Sequence, residues 1–118
     1  MATVITKPHV IEAEGNQPLL IQELIGRVNT GTKGVSIARV LSPAGRVEIG
    51  KIPEFDEYAV VLSGTLRVES DRCEDVLTGQ AVICRKGEWV RFSTPEETEY
   101  ITVCLPAFAP GLVRWDIV

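Results

Sequence analysis

The sequence predicts an all-β barrel or sandwich. Two observations carry this: short runs of apolar residues, many of them alternating with polar ones, and turns marked by glycine or proline between them at near-regular spacing. At 118 residues, one domain over residues 1–118 is expected, long enough to build a core without metals or disulfides.

The elements follow in order. Residues 1–17 read as an arm, with a short strand around Val4-Ile5 and a polar loop from Glu12 to Asn16. Pro18–Val28 admits two readings: Leu19, Leu20, Leu24 and Ile25 line a short helix, or the run is an irregular strand. Asn29–Gly34 is a loop; it lacks the lysine and hydroxyl residue that would follow the second glycine of a phosphate loop. Val35–Leu41 is a strand, and Ser42-Pro43-Ala44-Gly45 a turn. Downstream come a turn at Ser70–Arg72, a strand at Glu74–Leu77, a strand at Gln80–Arg85 opened by Gly79, and a tight turn around Gly87. Trp89–Ser93 alternates, with Val90 and Phe92 inward; Thr94–Thr98 is a loop and Glu99–Leu105 the last long strand.

The centre of the chain is Gly45–Gly64, GRVEIGKIPEFDEYAVVLSG. Side chains alternate across a strand, so odd and even positions sort to opposite faces. Between Gly45 and Pro53 the odd face holds Val47, Ile49, Lys51 and Pro53, and the two aliphatic residues mark it as the buried one. Tyr58–Leu62 and Thr65–Ser70 are joined by Ser63-Gly64, read as a two-residue hairpin. In that hairpin Val61 opposes Leu66, Ala59 opposes Val68 and Glu57 opposes Ser70, so Glu57 points inward. A lysine and a glutamate therefore converge inside a small β structure, where such residues are rare unless paired. Either the pair is a half-solvated structural ion pair at the barrel mouth, or it is a ligand-binding or acid–base pair in a cleft.

The spacing Gly45, five residues, Lys51, one residue, Pro53, three residues, Glu57, six residues, Gly64 resembles the first motif of the cupins. Gly79, five residues, Arg85, one residue, Gly87, two residues, Val90, three residues, Thr94 resembles the second. The likeness covers about residues 35–106 and implies a cupin-type double-stranded β-helix, or jelly roll. In metal-binding cupins the places of Lys51 and Pro53 are histidines and Glu57 is the carboxylate ligand. The proline, histidine and asparagine of the second motif are here Arg85, Val90 and Thr94. Only Glu57 of the four ligands stands, and the one histidine, His9, lies far from both motifs. The imidazoles and one carboxylate of those cupins suit a transition metal and a lone carboxylate does not hold one, so no metal and no cofactor are expected. The chain also resembles the cupin domain of ethanolamine-utilisation proteins, in Asp56-Glu57, Val61-Leu62-Ser63-Gly64, and Lys86-Gly87 with Phe92, Thr94 and Pro95.

Composition bounds the function. A net charge of −4 with dispersed basic residues argues against nucleic acid as a partner. No basic-then-apolar leader begins the sequence, and the longest apolar stretch, Ile101–Val113, is interrupted by Pro106 and Pro110; a cytoplasmic protein without a membrane partner is expected. Cys73, Cys84 and Cys104, an odd number without metal-ligand spacing, fit a reduced compartment, with Cys84 and Cys104 in the core and Cys73 exposed. Tyr58, Val60 and Leu62 lie opposite Glu57, so their strand is apolar on both faces and needs a cover, for which a second copy in a homodimer is expected.

Three functions follow. One is a metal-free barrel binding a small polar or anionic molecule, with Lys51, Pro53, Glu57, Val90 and Phe92 as ligand-binding candidates and Lys51 supplying charge at the old metal position. Another is a metal-independent isomerase, epimerase or lyase on a sugar or small acid, with Glu57 as general base and Lys51 as electrophile. The third is a structural role, with the pocket closed by Pro53, Phe55 and Val90. The fold does not choose among them, because function resides in the site.

Overall fold

The structure is a computed structural model, described here for residues 1–13 and 17–116. The strands are β1 (His9–Ala13), β2 (Leu19–Ile25), β3 (Ser36–Ser42), β4 (Arg46–Val47), β5 (Lys51–Pro53) and β6 (Asp56–Ser63). They continue as β7 (Thr65–Glu69), β8 (Cys73–Leu77), β9 (Ala81–Cys84), β10 (Arg91–Thr94), β11 (Thr98–Leu105) and β12 (Val113–Trp115). Two antiparallel sheets face each other, one in the order β1-β2-β3-β11-β6-β9 and one in the order β4-β10-β7-β8. A third, two-stranded pairing joins β12 to β5, and β5 is also bridged to Val90 just ahead of β10. This is the all-β jelly-roll expectation realised.

Alternation explains the core. β3 buries Ser36, Ala38, Val40 and Ser42 and turns Ile37, Arg39 and Leu41 outward. β6 buries Glu57, Ala59 and Val61; β7 buries Leu66 and Val68. Between the sheets Ala59, Val61 and Tyr100 meet Leu66, Val68, Val90 and Phe92 in one cluster. Phe92 and Tyr100 touch edge to face with centroids 6.4 Å apart, the arrangement their ring quadrupoles favour.

The structure decides one open reading and corrects three expectations. Of the two readings of Pro18–Val28 the irregular strand holds: Leu19–Ile25 pairs with β1 and β3, with a register shift between Glu23 and Ile25. The first strand is His9–Ala13 rather than Val4-Ile5, so Glu12 is in a strand; the remainder of the expected polar loop, residues 14–16, lies outside the described residues. Ser63-Gly64 is not a two-residue hairpin. β6 is hydrogen-bonded on its two sides to β9 and β11, and β7 to β8 and β10, so the chain turns a corner from one sheet to the other. The inward faces were nonetheless correctly sorted, because both strands line the same core from opposite sides. Finally, Val47 and Ile49 are outside, 55% and 58% exposed, for a reason given below.

The corner depends on Gly64. Its φ is +85°, and a methyl group there would collide with the Glu97 carbonyl oxygen and with Thr98. Thr98 Oγ1 closes the corner by accepting from Thr65 N at 3.0 Å and lying 3.0 Å from the Thr65 carbonyl oxygen. Gly79 has nearly the same φ, +83°, with open space around it. Gly79→Ala is therefore expected to cost about 1 kcal/mol and Gly64→Ala about 2–4 kcal/mol in urea unfolding. Equal costs would show that the corner is not packing-limited.

Candidate functional site

The site begins with one extra residue. Glu48 N donates to Phe92 O at 3.0 Å, and Lys51 exchanges both backbone hydrogen bonds with Val90 at 2.9 Å. Three steps along one strand thus oppose two along the other, the count that defines a β-bulge. Across that insertion the inward parity changes: Arg46 is buried before it, Lys51 and Pro53 face inward after it, and Val47 and Ile49 point out. Gly50 makes room for this. A Cβ on Gly50 would stand 2.6 Å from the Trp89 indole, which occupies the space a side chain would fill. Lys51 and Pro53 face inward as the alternation predicts, while Val47 and Ile49 on the same predicted face do not.

Lys51 Nζ lies 3.1 Å from Glu57 Oε1, with side chains 14% and 6% exposed. The contact is a close ion pair, and no partner of Oε1 other than Lys51 is found among the described residues. The other oxygen, Oε2, accepts from Thr102 Oγ1 at 2.6 Å. The Lys51 ammonium also sits 5.2 Å from the centroid of the Phe92 ring, within cation–π range. Burial alone would lower the Lys51 pKa, but the charges of Glu57 and Glu48 outweigh it and raise the value above the ordinary one. Lys51 is therefore held as a cation, not as a base or an amine nucleophile.

Glu48 joins this cluster. It is half-buried, and burial raises its pKa against the opposing pull of Lys51 and Arg46, with Glu57 adding to the rise. Two carboxylates thus flank one ammonium. Across the large sheet Glu57 stands in register between Cys84 on β9 and Cys104 on β11. Burial first, then the Glu57 charge, pushes Cys84 up to about 11 and Cys104 up to about 12. Both thiols stay protonated at neutral pH and neither is an activated nucleophile.

The remaining candidates are distributed unevenly. Pro53, Val90 and Phe92 are buried around the pair. Arg85 is exposed; Thr94 is buried, with its hydroxyl 2.7 Å from Ser42 Oγ and donating to Pro43 O at 2.9 Å. His9 is exposed on β1, at the far edge of the sheet. Beside the pair, where edge strands β8 and β9 leave the barrel open, lies a cavity of about 330 Å³. Its apolar wall is Val68, Val76, Val82, Cys84 and Val90, and Trp89, Arg72 and Arg85 stand among its polar surroundings. Val90 and Cys84 are the strand partners of Lys51 and Glu57, so the cavity wall is one residue removed from the ion pair.

The donor set does not fit a transition metal. Pro53 and Val90 offer no donor atom, and the Lys51 ammonium already holds the cation position beside Glu57. Among the described residues no group of three histidine, cysteine, aspartate or glutamate side chains is placed to hold a metal ion.

Sequence reasoning missed Arg46, Glu48, Cys84 and Thr102 as neighbours of the pair. Gly50 inside a strand was the available signal for the bulge, and Thr102 is a polar residue in the inward row Tyr100, Thr102, Cys104.

Two outcomes are expected from these geometries. Lys51→Met leaves Glu57 buried without a counter-charge and lowers stability by about 3–5 kcal/mol, whereas Lys51→Met with Glu57→Leu returns within about 1–2 kcal/mol of the parent. Denaturant titration checks both, and a double variant as weak as the single one contradicts the pairing. Glu48 has a folded pKa raised above the ordinary 4.5, so the native state holds its proton more tightly. Its stability contribution is present below pH 4.5 and lost as pH rises through the folded value. Glu48→Gln should therefore stabilise the protein at pH 7 and flatten the fall in stability above pH 4.5.

No family model matches the chain. The chain is 34% identical over 99 residues to a protein named endoribonuclease YbeY from Myxococcus xanthus, a match covering 81% of this chain and 34% of that protein. It spans about a third of that curated relative. Among solved structures, EutQ of Clostridium difficile superposes with a TM-score of 0.67 at 20% identity, over 78% of this chain and 65% of that one. A cupin superfamily protein of Desulfitobacterium hafniense gives 0.67 at 17%, over 80% and 83%. The polyketide cyclase RemF of Streptomyces resistomycificus gives 0.72 at 22%, over 100% and 87%. With two facing antiparallel sheets and these neighbours, the chain is a small domain of the cupin fold.

Proposed function

We propose that this cupin barrel binds a small polar or anionic molecule without a metal, in the cavity between β8 and β9. The observation that carries the reading is the position of the cavity wall. Val90 and Cys84 line it, and directly behind them stand Lys51 and Glu57. The buried Lys51–Glu57 pair gives that end of the cavity a polar character beyond its apolar wall. The valines take the apolar part of such a ligand, and Arg72 and Arg85 supply positive charge for an anionic end.

A second reading rests on the same pair. A metal-independent isomerase, epimerase or lyase would use Glu57 as general base and Lys51 as the cation that stabilises developing negative charge. The side-chain geometry is compatible, since Thr102 and Lys51 hold the Glu57 carboxylate in place. Turnover by wild type and its loss in Glu57→Gln with binding retained would select this reading over simple binding.

Against a polyanionic substrate stands the chain's charge, and the protein named an endoribonuclease is matched over only a third of its length. The chain carries a net charge of −4, and its single histidine is exposed at a sheet edge away from the pair. A polyanionic substrate is held through basic contacts, which this balance disfavours.

Thermal-shift screening against small hydroxy acids, sugars and sugar phosphates tests the proposal. A ligand at about one hundred times its Kd adds about 2.7 kcal/mol to stability. Val82→Phe, which fills the cavity, should abolish the shift, while Leu62→Ala on the outer face should leave it unchanged. A shift insensitive to Val82→Phe would place the ligand elsewhere.

A further inference from the structure

The charges around the cavity describe its occupant more closely than its walls do. Four carboxylates, Asp71, Glu74, Asp75 and Glu88, stand there against two guanidiniums, Arg72 and Arg85. The surroundings are therefore negative, and a phosphate ester or a dicarboxylate would meet net repulsion. Most of these groups already have partners. Asp75 accepts from Arg67 at 2.8 and 3.2 Å, Glu74 lies 3.1 Å from Arg72, and Asp71 accepts from Ser70 Oγ at 3.1 Å. The ion pairs among the described residues leave out Arg85 and Glu88.

Those two residues are the ends of one turn. Glu88 N donates to Arg85 O at 3.3 Å, and Gly87 between them takes a φ of +82°. Such a turn holds the Cα atoms of its first and fourth residues within about 7 Å. It is fixed to the barrel, because Gly87 N donates to Pro53 O at 2.8 Å and Lys86 N to Asp56 Oδ1 at 3.0 Å. Glu88 also acts on the cavity wall: burial first, then the Glu57 charge, raises the Cys84 pKa, and Glu88 adds to the rise. One cation and one anion thus stand side by side at the rim, above Val68, Val76, Val82 and Val90.

A ligand that answers both charges carries a carboxylate and an ammonium close together. One that answers the wall carries an aliphatic group. At about 330 Å³ the cavity is at the small end of ligand sites, which begin at about 300 Å³. Resting on the reading that this cavity binds a small polar molecule, we propose that its ligand is a free aliphatic α-amino acid. Its carboxylate is held by Arg85, its ammonium by Glu88 and its side chain by the valines, so both polar contacts are charge-assisted.

Isothermal titration of the full chain tests it with three probes: L-leucine, isocaproate, which lacks the ammonium, and isoamylamine, which lacks the carboxylate. Leucine is expected to bind, and each analogue to bind at least about tenfold more weakly. Arg85→Gln and Glu88→Gln should each weaken leucine by about tenfold or more, while Lys86→Gln, on the same turn but outside the cavity lining, should not. All three side chains are exposed, so these variants are expected to fold. Val82→Phe should abolish binding, and where it does not fold, shifts of the Val76 and Val82 methyl resonances on adding leucine locate the ligand instead. An analogue that binds as tightly as leucine, or leucine binding indifferent to both glutamine variants, overturns the amino-acid assignment and leaves the cavity reading intact. A sugar or hydroxy acid that binds in the cavity where leucine does not has the same consequence. Leucine bound outside the cavity, or no ligand from any of these classes, overturns both.

Discussion

A lysine and a glutamate held 3.1 Å apart inside the barrel constrain everything around them. Removing two charges from water costs roughly several kcal/mol per ion, and their attraction offsets that only with further support. The support is visible in three directions. Thr102 donates to the free side of the carboxylate, the Phe92 ring faces the ammonium, and Glu48 adds a second negative neighbour. The bulge over Glu48–Lys51 is what allows Arg46, Glu48 and Lys51 to reach the interior from one short stretch of chain. Trp89, resting where Gly50 lacks a side chain, fixes that bulge from outside.

This electrostatic centre stands where a jelly roll is least complete. The large sheet ends at β9 and the small sheet at β8, and the cavity lies between those edges. A ligand entering there meets valines first and the charged pair only behind Cys84 and Val90. Such layering suits a molecule with both an apolar part and a hydrogen-bonding end. It also explains why the cysteines are inert: burial beside Glu57 keeps both thiols protonated. The superposed structures range from an ethanolamine-utilisation protein to a polyketide cyclase, so the shared architecture leaves the chemistry to side chains such as these.

Much of this was legible in the sequence, for identifiable reasons. Glycine-marked turns and alternation located β3, β6, β7, β9 and β11, alternation turned Val90 and Phe92 inward, and Glu57 reached the right face through a hairpin pairing that the fold does not contain. The parity argument failed between Arg46 and Lys51 because a single inserted residue reverses every face beyond it. It reached the right answer for Lys51 while misplacing Val47 and Ile49, and so hid Arg46 and Glu48. The hairpin at Ser63-Gly64 failed differently: a corner between sheets and a hairpin within one sheet share the same glycine signal. Strand order was beyond reach as well, since β11 and β9 flank β6 only through long-range pairing. Consequently the row Cys84, Glu57, Cys104 and the cavity beside it emerged only from the fold.

The central claim of the proposal is that the Lys51 ammonium takes the cation position beside Glu57 in place of a metal. Elemental analysis of the purified protein, repeated after incubation with iron, manganese, nickel, copper and zinc and then dialysis, tests it directly. The account predicts metal far below one equivalent in every sample. Near-stoichiometric metal in any of them would contradict it, because Glu57 would then be a ligand and Lys51 would have to leave its side.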